Sequence, residues 1–73
     1  MIYFKIKKAL AGRCFFDRWY SNNVLVHYSY YENAIEIKEL HDGHFTHVYS
    51  VKITPFMIID KEYKNVIKFA FLC

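Results

Sequence analysis

Glycine and proline are scarce in this chain, which has two glycines and one proline among its 73 residues. Loops that cradle a nucleotide phosphate, as in P-loop and dinucleotide-binding proteins, need several glycines close together. Gly12 and Gly43 are the whole glycine content and lie far apart in the chain, so this class of phosphate site is excluded. The short length, without any linker-like segment, indicates a single domain over residues 1–73.

Cysteine is scarce as well, since Cys14 and Cys73 are the two in the chain. They form no short-spaced pair of the kind that holds zinc. Met1 and Ile2 lead directly into a charged, alternating segment, so we expect no secretory leader and both thiols free in a reducing cytoplasm. Cys14 precedes Phe15 and Phe16, an apolar setting that disfavours the thiolate needed for nucleophilic catalysis.

A large charge surplus and a long apolar run are also missing. Ten basic against seven acidic residues leave a net charge of +3, which is below the strong basic bias of a dedicated nucleic-acid-binding domain. No apolar run approaches the roughly 18 residues that span a bilayer. We therefore expect a soluble cytoplasmic protein without a membrane role, in the host cytoplasm if a phage encodes it.

Aromatic residues are plentiful by contrast: seven Tyr, seven Phe and one Trp make up 21% of the chain. A domain of this size buries only about 60% of the surface of its unfolded chain. That interior is too small for every ring, so some rings should lie on the surface, where aromatic side chains are typical of interfaces. The alternative is that the rings fill the core of a small sheet, and composition leaves both interpretations open.

Apolar residues alternate with polar ones along most of the chain, which is typical of half-buried strands. This pattern predicts strands over 2–7, 24–30, 34–38, 45–53 and 66–72, and the apolar run 56–59 predicts a buried strand. Turns are expected at 21–23, at 31–33 and at Asp42-Gly43, a strong hairpin signal. In the returning strand, one face should carry Phe45, His47, Tyr49, Val51 and Ile53.

Segment 8–20 is ambiguous, because it fits either a short helix or a turn at Ala11-Gly12 followed by a strand over Arg13–Tyr20. Its aromatic content favours the strand. The predicted fold is therefore all-β, a five- or six-stranded antiparallel meander or small barrel. A helix near 8–20 would make it α+β instead.

Catalytic and metal chemistry find little support. His41, His44 and His47 are the nearest approach to a metal site, but His44 and His47 should point to opposite faces of a strand. The carboxylate pairs Glu36/Glu39 and Asp60/Glu62 are more typical of charged surfaces than of acid–base catalysis. We expect no metal, no other cofactor and no enzymatic activity.

The residues best suited to binding are tyrosines and cations close to one another in sequence. Trp, Tyr and Arg dominate the energetics of protein interfaces, and the residues predicted to bind a partner are Arg18, Trp19, Tyr20, Tyr28, Tyr30 and Tyr31. The alternative is a β-barrel that binds single-stranded nucleic acid, with rings stacked on bases and cations along phosphates. For that function the first strand supplies Tyr3, Lys5 and Lys7 on one face.

About half of the residues are of types encoded by AT-rich codons, namely Phe, Tyr, Met, Ile, Asn and Lys. In size and coding bias, though in no specific motif, the chain resembles small phage accessory proteins that inhibit a host enzyme or defence complex. We therefore expect an inhibitor whose partner is a larger host protein. A homodimer through an edge strand, 2–7 or 66–72, would add stability to such a thin core.

Overall fold

Four strands in chain order form one open antiparallel sheet, with a helix before it and a helix after it. The computed structural model describes residues 2–12 and 16–71. The elements are α1 (Ile2–Ala11), β1 (Asp17–Ser21), β2 (Val24–Ser29), β3 (Ala34–His41), β4 (His44–Lys52) and α2 (Lys61–Ala70). The described residues thus contain more strand than helix, as predicted in broad class. The prediction of five or six strands or a closed barrel is wrong.

The two central hairpins are where the sequence predicted them. β2 pairs with β3 from Val24↔Glu39 to Ser29↔Ala34, and β3 pairs with β4 across the Asp42-Gly43 turn. Asp42 and Gly43 have φ angles of 50° and 80°, the left-handed conformation that a two-residue hairpin turn needs at both positions.

The other hairpin turn is secured by Asn33, whose φ of 51° is also positive. Its side-chain Nδ2 donates to the carbonyl oxygen of Ile53 at 3.0 Å, and its own carbonyl accepts from the Ile53 amide at 2.8 Å. Asparagine tolerates this conformation better than most residues because its short amide can hydrogen-bond locally. The turn therefore also fixes the chain just after β4.

Residues 2–7 are helical, so the prediction of an opening strand is wrong. Ile2, Ile6 and Ala9 follow the i, i+4, i+7 spacing of one helix face. Ile6 and Ala9 are buried, whereas Phe4, which the alternating pattern placed with them, is exposed. The second half of α1 consists of Lys, Ala and Leu, which are good helix formers. Of the ambiguous segment 8–20, residues 8–11 complete α1 and 17–21 form β1; Arg13, Cys14 and Phe15 lie outside the described residues, as does Cys73.

The predicted last strand, 66–72, is also a helix over the residues described. α2 buries Ile67 and Ala70, and Tyr63 and Val66 pack against the same core. Asp60 occupies the N-cap position and Glu62 the first turn, where acidic residues complement the helix dipole. Lys68 lies in the last turn, so both ends carry the charges that a helix prefers.

The apolar run 56–59 is not a buried strand. β4 ends at Lys52, and Thr54-Pro55 begins a turn in which the Phe56 amide donates to Thr54 Oγ1 at 3.2 Å. Phe56 and Ile58 are largely exposed, whereas Met57 and Ile59 pack against the core. The run is an irregular connection that touches the core with alternate side chains.

A β-bulge divides β4. Ile37 pairs with Tyr49 but the next residue, Lys38, pairs with His47, so Val48 is an extra residue on β4. The bulge reverses the alternation, because an inserted residue changes which face each later side chain occupies. Tyr49 and Val51 therefore lie on the core side and Phe45 and His47 on the opposite side, contrary to the prediction that all share one face.

The core lies between one face of the sheet and the two helices. Its buried residues come from both helices, from β2 and β3 and from the segments that flank α2: Ile6, Ala9, Val26, Ile35, Ile37, Ile53, Ile67, Ala70 and Phe71. Burying one such aliphatic side chain contributes about 1.5–3 kcal/mol. Because α1 and α2 cover the same face, the opposite face of the sheet has no helix over it in the part of the chain that the structure describes.

Candidate functional site: the open face of the sheet

The face of the sheet opposite the helices, called the open face below, carries a pair of aromatic rings. Register places Trp19 opposite Leu25 and Leu40 opposite Phe45. Trp19 and Phe45 come from the two edge strands, yet their ring centroids are only 5.9 Å apart, with the planes at 35°. They are 47% and 51% exposed, so about half of each large ring faces solvent.

Ionisable side chains cross the open face beside this ring pair. Asp17 Oδ1 contacts His27 Nδ1, His27 Nε2 lies 3.8 Å from Glu36 Oε2, and Glu36 Oε1 lies 3.6 Å from His47 Nε2. Asp17, His27, Glu36 and His47 each come from a different strand, so this Asp–His–Glu–His row spans the whole sheet. The Glu36 side chain is the most buried of the four, at 13% exposed.

The row has only part of the geometry of a catalytic site. An Asp–His pair activates a nucleophile when a hydroxyl or thiol lies at the second imidazole nitrogen, but here His27 Nε2 faces the Glu36 carboxylate. Two imidazoles on the two oxygens of one carboxylate, at 3.6–3.8 Å, form long ion-pair contacts when the rings are protonated. The arrangement lines the polar half of the open face with one ionisable side chain from each strand.

The three histidines considered for metal binding are separated by the fold. His41 and His44 face each other at the ends of β3 and β4, but His41 Nε2 contacts Glu39 Oε2 at 3.0 Å while His47 belongs to the row. Within residues 2–12 and 16–71, no three histidine, cysteine or carboxylate side chains are grouped so that they could hold a metal ion.

The six residues predicted to bind a partner fall into three places. Trp19 is on the open face, whereas its neighbours Arg18 and Tyr20 turn to the helix side and pack on Phe69 of α2. The guanidinium carbon of Arg18 lies 4.5 Å from the Phe69 ring centroid, and the Tyr20 ring meets Phe69 edge-on at 5.3 Å. This alternation follows from the strand geometry of β1.

The remaining three predicted residues lie at the β2–β3 end of the sheet. Tyr28 is half-buried against the core, with the Phe16 ring at 6.2 Å. Tyr30 and Tyr31 form an edge-to-face pair at 5.9 Å in the turn and are 74% and 97% exposed. Tyr30 and Tyr31 therefore make a second, smaller aromatic surface.

The set predicted for nucleic acid does not share one strand face, because its residues are on α1. Tyr3 and Lys7 are four residues apart and so lie on the same side of the helix, with Lys5 on a different side. Tyr3 packs partly against the core and meets the exposed Phe4 ring edge-on at 5.3 Å. α1 therefore presents one exposed ring, Phe4, near Lys5 and Lys7. It does not present a row of rings on which successive bases could stack.

Phe45, Leu25 and Leu40 are open-face residues that sequence reasoning did not select. The strong Asp42-Gly43 turn signal is enough to pair Leu40 with Phe45, and that pairing would have drawn attention to both. The contact between Trp19 and Phe45 joins the first strand to the last, and no local pattern indicates it.

Comparison of the chain with protein-family models, with curated proteins and with solved structures found no match. Neither α1 nor α2, which are the helices of the described residues, is long and apolar enough to cross a membrane. The function must therefore be argued from the surfaces described above.

Proposed function

We propose that the protein is a non-catalytic binding protein that occupies a surface of a larger protein and blocks it, as a phage-encoded inhibitor of a host enzyme or defence complex would. The observation that carries the proposal is the half-exposed Trp19–Phe45 pair on the sheet face that neither α1 nor α2 covers. An exposed Trp beside a second ring is the typical content of an interface hot spot.

The surroundings of the ring pair also suit an interface. Leu25 and Leu40 lie on the same face as the rings, and the Asp–His–Glu–His row borders them. Interfaces commonly have an apolar centre within a polar rim, which excludes water from the hot spot. In this proposal the rings enter a pocket on the partner, while Asp17 and Glu36 align its hydrogen-bond donors.

Tyr30 and Tyr31 extend the proposed interface. Tyr30 follows Leu25, the strand partner of Trp19, by five residues, which at ~3.3 Å per residue is ~17 Å. An interface of standard size covers about 800 Å² on each partner, which is wide enough to include both aromatic surfaces. We therefore propose that the partner contacts one continuous surface, which includes both the Trp19–Phe45 pair and the Tyr30–Tyr31 pair.

Arg18, Tyr20 and Tyr28 play a supporting part in this proposal. Arg18 and Tyr20 pack on Phe69 and so join β1 to α2, and Tyr28 packs against the core. Substituting them should weaken binding mainly by disturbing β1 and β2. Residues 2–7 and 66–70 are helical, so neither segment offers the edge strand expected for a homodimer. The longer of the two edge strands of the sheet is β4.

The test begins with capture of a partner on the immobilised full chain, from lysate of a bacterium with an AT-rich genome, with and without nuclease. Affinity for the purified partner is then measured for Trp19→Ala and Phe45→Ala. Each should lose roughly 30-fold, the equivalent of a hot spot of about 2 kcal/mol. Phe56→Ala is the matched control, because Phe56 is an exposed ring away from the sheet. Equal affinities for all three variants would contradict the proposed interface.

A nucleic-acid-binding function is the second candidate, and the distribution of lysine favours it. Six of the eight lysines lie within α1 and α2, with Glu62 the one acidic residue in either helix. Here Tyr3, Lys5 and Lys7 would contact single-stranded nucleic acid. The affinity of such a complex falls steeply with salt, by ~0.7 in the log–log slope for each phosphate contact. Partner capture that disappears with nuclease and with salt would favour this candidate.

A further inference from the structure

A cleft of about 490 Å³ runs between α1 and α2 on the side of the molecule away from the open face. Its volume is within the range of about 300–1,000 Å³ typical of small-molecule sites. Seven residues line it, four of them apolar and three of them lysines: Ile2, Ile6, Ile67, Phe71, Lys5, Lys64 and Lys68. In the part of the chain that the structure describes, no other class of side chain contributes to the lining.

The floor of the cleft is formed by its four apolar residues, of which Ile2 is partly exposed and the other three are buried. Ile6 and Ile67 are fully buried members of the core, and Phe71 is nearly so. A ligand in the cleft would therefore cover Ile2 and the methylene stems of the lysines, at roughly 25 cal/mol for each Å² of apolar surface covered. The buried Phe71 ring leaves no exposed aromatic platform on which a nucleobase could stack.

The rim of the cleft is cationic. Lys64 and Lys68 are four residues apart on α2, and Lys5 comes from the facing side of α1. Among residues 2–12 and 16–71, no carboxylate lines the cleft and none of the three ammonium groups is in an ion pair. Like charges at the spacing of Lys64 and Lys68 weaken a helix slightly, which offsets part of what Lys68 contributes at the end of α2.

We propose that this cleft binds one molecule of an anionic amphiphile, such as a long-chain carboxylate. The apolar chain lies along Ile2 and the methylene stems of the lysines, above the buried Ile6 and Ile67, and the anionic head is held by the ammonium groups of Lys5, Lys64 and Lys68. An inorganic anion would gain nothing from this apolar surface, and a neutral chain would gain nothing from the three cations. An anionic amphiphile matches the whole site, because its alkyl chain suits the apolar residues and its head group suits the lysines.

The test uses the full chain and titrates it calorimetrically with three probes: monomeric laurate, dodecanol and inorganic phosphate. Laurate should bind at a one-to-one ratio, and at least tenfold more tightly than dodecanol or phosphate. The double substitution Lys64→Gln with Lys68→Gln should weaken laurate binding at least tenfold. The pair Lys38→Gln with Lys52→Gln is the matched control, because it removes the same charge from the sheet, and it should leave laurate binding unchanged.

Circular dichroism and urea unfolding of both double variants separate a binding defect from a folding defect, and Lys5→Gln provides an independent variant on the other helix. Equal loss of laurate binding in the two double variants would overturn the site. So would phosphate binding as tight as that of laurate, since the floor would then play no part. Adsorption to anionic phosphatidylglycerol vesicles without binding of monomeric laurate would also overturn it, in favour of a surface attraction.

Discussion

Tyr49 and Tyr63 stack with their ring centroids 4.4 Å apart and their planes at 20°, which joins the edge strand β4 to α2. The Tyr49 hydroxyl also accepts a hydrogen bond from the Asp60 amide at 3.1 Å, at the start of α2. One side chain of the sheet thus packs on the helix and binds the residue at its N-cap position. This contact fixes where α2 begins relative to the sheet.

Removing the two functions of Tyr49 one at a time should lower stability in two steps. Tyr49→Phe keeps the stack and loses the hydrogen bond, which should cost about 0.5–1.5 kcal/mol. Tyr49→Leu also loses the ring contact, worth about a further 0.5–1.5 kcal/mol. Urea unfolding measures both, with Tyr31→Phe as the exposed control, expected to change stability by less than about 0.5 kcal/mol. A Tyr49→Phe variant as stable as the parent would show that the hydrogen bond contributes nothing.

The Tyr63 hydroxyl should ionise at a higher pH than an ordinary tyrosine, because its pKa is raised in the folded protein. Burial raises the pKa of Tyr63 above 10.0, and the negative charges of Glu62, Glu39 and Asp60 raise it further. Because the folded-state pKa exceeds the unfolded one, the folded state holds this proton more tightly. This tighter proton binding contributes to the free energy of unfolding. The contribution is complete below pH 10, and it is lost as the pH rises from there through the folded-state pKa of Tyr63.

The measurement is a spectrophotometric tyrosinate titration of the parent and of Tyr63→Phe. The difference between the two curves should be a single phenol that ionises above pH 10, and the stability of Tyr63→Phe should fall less steeply over that alkaline range. A difference curve with its midpoint at or below pH 10 would contradict the assigned environment.

Ile67 and Ile58 should respond oppositely to the same substitution. Ile67→Ala opens a cavity between α2 and the sheet and should cost about 2–5 kcal/mol. Ile58→Ala removes a side chain that is 84% exposed and should change stability by less than about 0.5 kcal/mol. Chemical denaturation of the two variants tests whether the Ile58 side chain lies outside the core, and comparable losses in stability would place it in the interior.

Sequence patterns predicted the middle of the fold because its information is local. Asp42-Gly43 tolerates the positive φ of a tight hairpin, and the β2–β3 hairpin has alternation on both sides of its turn. The two helices were mistaken for strands because their apolar residues fit both the strand period of two residues and the helix period of 3.6. Ile2 and Ile6, for example, are four residues apart, which places them on one face of a strand and also on one face of a helix. The stronger helix signals were the Lys, Ala and Leu content of residues 7–11 and the Asp60-Lys61-Glu62 start.

The candidate site was only partly predictable for a different reason. Trp19 was selected for its residue type, which is independent of position. Phe45 was missed because its side depends on the bulge at Val48, and its meeting with Trp19 depends on the curvature of the whole sheet. Arg18 and Tyr20 were grouped with Trp19 by closeness in sequence, although neighbours on a strand point to opposite faces.

The uneven placement of lysine gives the molecule a permanent electric dipole. The positive end is the helix layer, and the open face lies at the opposite end. Near any anionic surface the molecule would therefore rotate before contact and arrive with its helices first. In that orientation Trp19 and Phe45 point away from the surface and stay exposed to solvent.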